Sequence, residues 1–364
     1  DLPRFDLAHQ HAGIGRCEQI GLRQARPGRL VLEVNGVRHP LVPPGLLIGR
    51  GADVDALNHR GQSPLAGAVF KQADDVIVAL REAGITMPIM VLNPKVVNYK
   101  ALFDNRLEPE VFSFDMCREI IREAQKFDVK DYPIHIKIDT GMHRLGFQPE
   151  DVPEVCRRLK EQSGVVARSV FSHLVGSDSY IFDDFTKKQL DTFTRVAAEL
   201  EAGLEYKVIK HILNSAGIER FTDYQMDMVR LGIGLYGVSA SGQKGLRNIS
   251  TLKTTILQIQ NVPAGDSIGY SRMSYVKRDS RIAIIPIGYA DGLDRHFSNG
   301  GGEVVINGHR CPIIGNICMD ACMIDVTDTD AHEGDSVIIF GEELPVSELS
   351  DKLKTIPYEI LTSI

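Results

Sequence analysis

The sequence predicts an α/β protein, a TIM-type (β/α)8 barrel followed by a C-terminal all-β domain, on three observations. From about residue 70, short β-branched runs alternate with amphipathic helical stretches, as in parallel strands joined by crossover helices. No glycine-rich phosphate-binding fingerprint follows the first run, which favours a barrel over an open sheet. After about residue 240, strand-like runs follow one another with Gly, Asn and Asp between them, which indicates antiparallel β structure.

The individual elements follow from periodicity. The barrel strands are predicted at 88–93 (PIMVLN), 109–114 (PEVFSF), 133–139 (PIHIKID), 169–174 (SVFSHL), 208–214 (VIKHILN) and 227–237 (DMVRLGIGLYG). The helices between them are predicted at 115–127, 152–162 and 182–202, where apolar residues recur with helical spacing. The strands of the β domain are predicted in TLKTTILQIQ, RIAIIPIG, GEVVING, CPIIGNI, CMIDV and SVIIFG.

Domain boundaries are expected near residues 70 and 240. Residues 1–70 contain eight Arg and no Lys, whereas the rest of the chain contains both residue types. This shift in composition predicts an unrelated N-terminal segment (1–70), a barrel domain (71–240) and a C-terminal β domain (241–364).

Composition excludes several classes of function. The formal net charge is −7 and no stretch clusters Lys and Arg without acidic neighbours, so no nucleic-acid partner is expected. No apolar run is long enough to cross a bilayer and no signal peptide is recognised, so no membrane partner is expected. The six cysteines are scattered without a CxxC pair, which predicts a reducing, cytoplasmic location and no metal site. A small molecule is the expected partner.

Polar side chains gather where the predicted barrel strands end, which is where barrel enzymes place their active sites. These residues are Lys137, Asp139, Arg144, His173, Asn214, Ser215 and Arg230. Most have a simpler interpretation: a solvated rim for the two cations near residue 140, a core histidine, and a helix cap for the Asn-Ser pair. Arg230 is harder to explain in this way, because it lies between Val229 and Leu231 and must find an acceptor.

Six motifs connect the chain to a known family. They are ALREAGITMPIMVLNP, IKIDTGMHRLGF, HILNSAGIERF, MVRLGIGLYG, IPIGYADGL and GNICMD. From about residue 74 to 364 the chain resembles alanine racemase, most closely the racemase part of the fused UDP-N-acetylmuramoyl-tripeptide:D-alanyl-D-alanine ligase/alanine racemase, whereas residues 1–70 do not match. The resemblance implies a homodimer with shared active sites that binds pyridoxal 5′-phosphate and interconverts L- and D-alanine for peptidoglycan synthesis. It also implies fusion to, or association with, a cell-wall ligase.

The resemblance implies roles for particular residues. Tyr270 matches a tyrosine that the partner subunit donates as one of two acid/base groups, the other being a lysine bound to the cofactor. The residues that match cofactor contacts are Arg144, His173, Asn214, Ser215, Arg230, Gly232 and Ile233. The residues that match substrate contacts are Arg144, Tyr289, Met319 and Asp320. Lys137 matches a lysine that is carbamylated in many relatives, where the carbamate fixes the neighbouring arginine.

The sequence departs from the family at the cofactor lysine. In relatives this lysine lies in a pattern like VVKANAYGHG at the end of the first barrel strand, and no such pattern occurs here. Lys71 is the first lysine of the chain, but it aligns close to the second strand. The first barrel strand is therefore replaced or missing, unless residues 28–48 supply a substitute.

Two alternatives follow from this departure. The chain could be a catalytically impaired or non-catalytic homologue that keeps a pocket for the cofactor and a carboxylate. Residues 1–70 could also form a separate interaction module.

Overall fold

The computed structural model describes residues 31–34, 37–40, 81, 84–92, 96, 98–243 and 245–364. These residues fall into two compact units. We call the described parts of Asp1–Leu41 and Asn248–Ile364 the β unit, and those of Val42–Arg247 the barrel unit. The boundary near residue 70 and Lys71 lie outside the described residues, as does most of the proposed interaction module, so these points stay predictions.

A short hairpin begins the described part of the chain. Strand β1 (Val31–Val34) pairs antiparallel with β2 (Val37–Pro40), and its other edge pairs antiparallel with β8 (Ser250–Thr255) in the β unit. The expectation that residues 28–48 substitute for a barrel strand is therefore wrong for the described residues 31–34 and 37–40. Two strands separated by two residues can only run antiparallel, whereas neighbouring parallel strands need a crossover of a dozen or more residues.

The barrel unit contains a sheet of parallel strands in the order β3-β4-β5-β6-β7 within its described residues. These strands are β3 (Ile89–Val91), β4 (Leu107–Val111), β5 (Tyr132–Lys137), β6 (Val165–Phe171) and β7 (Ile209–His211). The helices of this unit are α1 (Tyr99–Asp104), α2 (Phe114–Lys126), α3 (Val152–Lys160), α4 (Asp183–Leu204) and α5 (Ser215–Arg220). The predicted class, a barrel followed by an all-β domain, is confirmed.

Local sequence explains how these elements are placed. Helix α2 begins after Ser113, whose side chain accepts a hydrogen bond from the Met116 N–H at 3.3 Å, the usual N-cap arrangement. Its apolar face, which includes Cys117 and Ile120, is buried against the sheet core. Strand β5 is buried on both faces, with isoleucines alternating with His135 and Lys137, so a polar row lies inside the unit.

The sixth predicted barrel strand, 227–237, is not a strand. Its second half forms a 3₁₀ helix, Ile233–Tyr236, which ends at Gly237 with φ of +80°. The apolar run resembled a buried strand, but closely spaced glycines favour a turn over a regular ladder. The misassigned segment nevertheless carries Arg230, which contacts His211 at the end of β7, and Gly232, whose N–H donates to Ser215 at the start of α5.

The β unit is built from antiparallel pairs. Its main sheet has the order β2-β1-β8-β16-β13-β14-β15-β12-β9, and β10 pairs separately with β11. The remaining strands are β9 (Gln258–Val262), β10 (Ser267–Ile268), β11 (Ser274–Tyr275), β12 (Ser280–Ile285), β13 (Glu303–Ile306), β14 (His309–Ile314), β15 (Cys322–Asp325) and β16 (Ser336–Phe340). Two helices follow, α6 (Val346–Leu353) and α7 (Pro357–Ser363).

Candidate active site

The bend after β5 is held by the buried carboxylate of Asp139. One of its oxygens accepts hydrogen bonds from the N–H groups of Gly141 (2.9 Å) and His143 (3.1 Å), and these contacts lower the pKa of Asp139 against the opposing effect of burial. The chain returns so that Phe147 pairs with Ile138. Gly146, at φ +140°, makes this close return possible, because a Cβ there would lie 2.5 Å from the Asp139 nitrogen.

Lys137 is not on a solvated rim. Its Nζ donates to Glu110 Oε2 at 3.0 Å, and the two side chains are 8% and 0% exposed, so this is a buried ion pair between β5 and β4. The ammonium also lies 5.5 Å from the centroid of the Phe171 ring. The family's carbamylation of this lysine is untested for Lys137, and Glu110, the anion already beside it, opposes a second negative charge there.

Arg230 donates hydrogen bonds to acceptors on neighbouring segments, as expected for an arginine between apolar residues. Its Nη1 donates to Nδ1 of His211 at 2.6 Å, and its Nη2 donates to the carbonyl of Ser172 at 2.5 Å. Burial lowers the pKa of Arg230 to about 10, against the attraction of Glu110, so the group remains a cation at neutral pH. The guanidinium carbon lies 5.2 Å from the Phe171 centroid, and the Phe171 ring stacks on His211 at 5.0 Å.

His173 lies beside this cation, with its Nδ1 3.4 Å from Arg230 Nη2. Burial, followed by the positive charges of Arg230, Arg144 and Lys137, lowers the pKa of His173 to about 3. The imidazole is therefore neutral at any ordinary pH. Phe171 lies against both Lys137 (5.5 Å) and Arg230 (5.2 Å), so these two cations flank the same ring within the barrel unit.

A second group of donors lies where α5 begins. Asn214 caps this helix, as its alternative interpretation predicted, because its side-chain oxygen accepts from the Gly217 N–H at 2.9 Å. Ser215 Oγ accepts hydrogen bonds from the N–H groups of Gly232 (2.9 Å) and Gly234 (3.3 Å). These two N–H groups hold the serine oxygen and leave its hydroxyl hydrogen to donate to another acceptor, which suits a phosphate oxygen. Ile233, the residue between these glycines, is buried.

Arg144 differs from Lys137 in being exposed. It makes no hydrogen bond or ion pair within the part of the chain that the structure describes, although its charge acts on His173. A guanidinium in this state is available to an anionic ligand.

In the β unit, Tyr270 is carried on a strained turn and is 70% exposed. The turn has φ values of +72° at Gly269 and +62° at Ser271. Asn316 fixes it, because its side-chain N–H group donates to the Tyr270 carbonyl at 3.0 Å. A left-handed Ser271 costs about 1 kcal/mol relative to glycine at such a position, so the turn is held by its surroundings.

The other predicted residues of the β unit converge near the same loop. The Tyr289 N–H donates to the Cys318 carbonyl at 3.1 Å, which places Tyr289 next to Met319 and Asp320. Gly288 is required there, since a Cβ would meet the Met319 carbonyl oxygen at 2.4 Å. Asn316, at the start of this loop, holds the Tyr270 turn. The three turns that carry the predicted residues are therefore joined within the β unit.

Sequence reasoning missed Glu110, Phe171 and His211. Glu110 neutralises Lys137, Phe171 lies against both Lys137 and Arg230, and His211 accepts from Arg230. A glutamate in the middle of a buried strand, as in the LEPEV of β4, was a signal that could have been used, since a buried carboxylate requires a partner.

Two further features bear on the class of site. Among the described residues, no helix is long and apolar enough to cross a membrane. In the same part of the chain, no group of three or more His, Cys, Asp or Glu side chains is arranged to hold a metal ion.

Comparisons with known proteins agree in both halves of the chain. Residues 54–240 match the model "Alanine racemase, N-terminal domain", and residues 249–364 match "Alanine racemase, C-terminal domain". The first match begins before residue 70, so the expectation that residues 1–70 do not match the family is wrong for residues 54–70. The alanine racemase of Desulfovibrio desulfuricans is 32% identical over 93% of this chain and 96% of its own length. Alanine racemase 2 of Caldanaerobacter subterraneus is 37% identical over 85% of this chain and 81% of its own length.

Solved structures give the same result. The alanine racemase of Bartonella henselae, described as having covalently bound pyridoxal phosphate, superposes with a TM-score of 0.72 at 28% identity, over 93% of this chain and 97% of that one. The enzyme from Streptomyces lavendulae gives 0.77 at 26% identity, over 93% and 95%. By its fold the chain is thus a two-domain protein of the barrel-plus-β-domain class found in these racemases. It belongs to the alanine racemase family.

Proposed function

We propose that this chain interconverts L- and D-alanine with pyridoxal 5′-phosphate as its cofactor. The observation that supports this best is the arrangement of the barrel unit, where Arg230, neutral His173 and the donors around Ser215 lie together. When bound, the cofactor supplies an electron-withdrawing ring that stabilises negative charge at the substrate Cα.

The residues of the barrel unit fit the two ends of this cofactor. The Ser215 hydroxyl suits the phosphate as a donor, with the Gly232 N–H holding its oxygen, Asn214 capping the helix end and Ile233 buried beside them. Arg230 suits an unprotonated ring nitrogen, because a guanidinium can donate but not accept. Its Nε–H makes no hydrogen bond with any described residue, which leaves one donor for a ligand.

Substrate binding is assigned to Arg144 and to the β unit of the partner subunit. Arg144 holds the carboxylate of alanine, since it is exposed and has no anionic partner among the described residues. Tyr289, Met319 and Asp320, whose turns are joined within their own β unit, are proposed to supply the wall of the partner's substrate pocket. Tyr270 moves a proton to or from one face of Cα through its phenol.

The active protein is proposed to be a homodimer in which Tyr270 serves the partner's barrel unit. Support comes from exposed apolar side chains near that residue: Met273 is 65% exposed, Tyr275 54% and Met319 59%. A patch of this kind on a protein surface marks an interaction site.

Racemisation is tested directly by incubating the purified protein with L-alanine and pyridoxal 5′-phosphate and measuring D-alanine. We expect Tyr270→Phe to lower the rate by roughly 10² to 10⁴, the contribution of a general acid or base. Tyr275→Phe is the matched control, since it removes a phenol from a neighbouring exposed position and is expected to leave turnover intact. Absence of turnover in the unmodified protein would refute the proposal.

A second candidate is a non-catalytic protein that binds the cofactor and a carboxylate. It is favoured by the absence of the family's lysine pattern and by the engagement of Lys137 with Glu110. Borohydride reduction in the presence of the cofactor, followed by peptide mass mapping, separates the two candidates. A pyridoxyl adduct on any lysine excludes the non-catalytic candidate, and its absence together with cofactor binding supports it.

The cellular role is inferred from the family resemblance. We propose a cytoplasmic enzyme that supplies D-alanine for peptidoglycan synthesis, fused to or associated with a cell-wall ligase. A bacterial strain that requires D-alanine should grow without it when this gene is expressed, and failure to grow despite soluble protein would oppose the proposal.

A further inference from the structure

A row of polar side chains crosses the interior of the barrel unit from strand to strand. Glu108 Oε2 lies 3.0 Å from His135 Nε2, and His135 Nδ1 lies 2.6 Å from Ser169 Oγ. Ser169 Oγ lies 3.0 Å from His211 Nε2, and His211 Nδ1 lies 2.6 Å from Arg230 Nη1. The first four residues are at most 5% exposed, so water does not satisfy them. We call this row the polar chain.

The two ends of the polar chain fix the position of every hydrogen in it. Arg230 can only donate, so Nδ1 of His211 must accept and its Nε2 must carry the hydrogen. That hydrogen goes to Ser169 Oγ, whose own hydrogen is then directed to His135 Nδ1. His135 therefore carries its hydrogen on Nε2 and donates it to the Glu108 carboxylate, which can only accept.

Other protonation states of His211 and His135 would leave hydrogen-bonding groups of the polar chain unsatisfied. Burial, then the positive charge of Arg230 and the proximity of His135, lower the pKa of His211 well below its ordinary value, so this ring is neutral. A doubly protonated His135 would donate to Ser169 and leave the serine hydrogen with no acceptor among the described residues. The unidirectional arrangement is the one that satisfies all five groups.

Arg168 holds the far end of the polar chain. Its Nη1 donates to the other oxygen of Glu108, Oε1, at 2.7 Å, and its side chain is 41% exposed. Each oxygen of the carboxylate thus accepts from a different donor, Arg168 on one side and His135 on the other.

We propose that Glu108 is a positioning residue for Arg230: through His135 and Ser169 it stabilises, from the opposite end of the polar chain, the His211 tautomer that can accept from the guanidinium. The catalytic consequence rests on the proposed function, because Arg230 is there assigned to the cofactor. The tautomer itself does not depend on any ligand.

An isosteric substitution at Glu108 is expected to reverse the direction of the hydrogen bonds along the polar chain. In Glu108→Gln, we expect the amide oxygen to stay on Arg168 Nη1, since two donors would otherwise face each other at 2.7 Å, so the amide NH₂ faces His135 Nε2 and donates to it. The hydrogens of His135 and Ser169 then point the other way, and His211 must carry its hydrogen on Nδ1, against the N–H of Arg230. Two donors would face each other at a distance of 2.6 Å.

The test is long-range ¹H–¹⁵N correlation NMR of the full chain with labelled histidine, which reports the tautomer of each ring. The signals of His211 are assigned by their loss in a His211→Asn variant. We expect the Nε2–H tautomer in the unmodified protein, and loss of that tautomer in Glu108→Gln. Arg168→Met in the Glu108→Gln background should restore it, because the amide can then turn its oxygen to His135, whereas Arg168→Met alone should leave it unchanged.

The outcomes separate this inference from the proposed function. An unchanged His211 tautomer in Glu108→Gln, or an Nδ1–H tautomer in the unmodified protein, overturns the inference whatever the activity. A tautomer switch in a protein that shows no racemisation leaves the inference standing and removes the proposed function. When both hold, we expect Glu108→Gln to lower kcat/KM for alanine by about tenfold, the effect of losing one hydrogen bond to a charged group, with partial recovery in the double variant.

Discussion

The buried ion pair between Lys137 and Glu110 leads to a quantitative prediction. At 3.0 Å and an effective dielectric of about 20, the attraction between the two charges is roughly 5.5 kcal/mol. Removal of both charges from water costs several kcal/mol per ion, so the ion pair contributes little net free energy to folding. Each buried charge is nevertheless strongly stabilised by the opposite charge of its partner. Lys137→Met should therefore lower the free energy of unfolding by about 3 to 5 kcal/mol, because the carboxylate of Glu110 loses its ammonium.

The double variant Lys137→Met with Glu110→Leu is the matched control. Two apolar side chains of similar size remove both charges, and we expect it to recover most of the lost stability. Urea unfolding followed by circular dichroism measures all four members of this double-mutant cycle. A loss below about 1 kcal/mol in Lys137→Met would be the behaviour of an exposed ion pair and would refute the reasoning.

Three further predictions concern the same unit. Gly146→Ala should destabilise the fold by about 3 kcal/mol or more, because its Cβ would meet the Asp139 backbone. Gly242→Ala, at φ +76° with open space around it, should cost only about 1 kcal/mol, and urea unfolding distinguishes the two variants. The neutral rings of His173 and His211 have lowered pKa values in the folded protein, so the unfolded state binds more protons below about pH 6.5. The free energy of unfolding should therefore fall as the pH is lowered, by up to about 1.4 kcal/mol per pH unit for each ring. His173→Gln should reduce the slope of the free energy of unfolding measured between pH 6.5 and 5. Carbamylation of Lys137 would place a second anion beside buried Glu110, which is unfavourable. We therefore expect ¹³C NMR after equilibration with ¹³C-bicarbonate to show no carbamate. A carbamate signal that is lost in Lys137→Met would contradict this expectation.

Much of the fold could be predicted from the sequence because its elements have clear periods. Helix α4 was expected at 182–202 and spans Asp183–Leu204, and β5 was expected at 133–139 and spans Tyr132–Lys137. The segment 227–237 was misassigned because an apolar run with arginine has the composition of a buried strand, while its conformation is decided by two glycines and by hydrogen bonds to Ser215.

The candidate site was predictable as a set of strand ends but not as a network. The alternation in β5 showed that His135 and Lys137 share a polar face. Their partners Glu108 and Glu110 lie 27 residues away in the chain, and no local pattern joins them. Similarly, the motifs in the β unit identified Tyr270 and Met319 separately, whereas the hydrogen bonds that join their turns follow from tertiary packing.

The β1-β2 hairpin makes the β unit discontinuous in sequence, since its members come from both sides of a long insertion. A fragment beginning near residue 241 would lack the hairpin and would leave one side of β8 without a hydrogen-bonding neighbour. Such a bare strand edge recruits other chains. Dissection of this protein into two separately expressed halves should therefore place the β1-β2 hairpin with the second half.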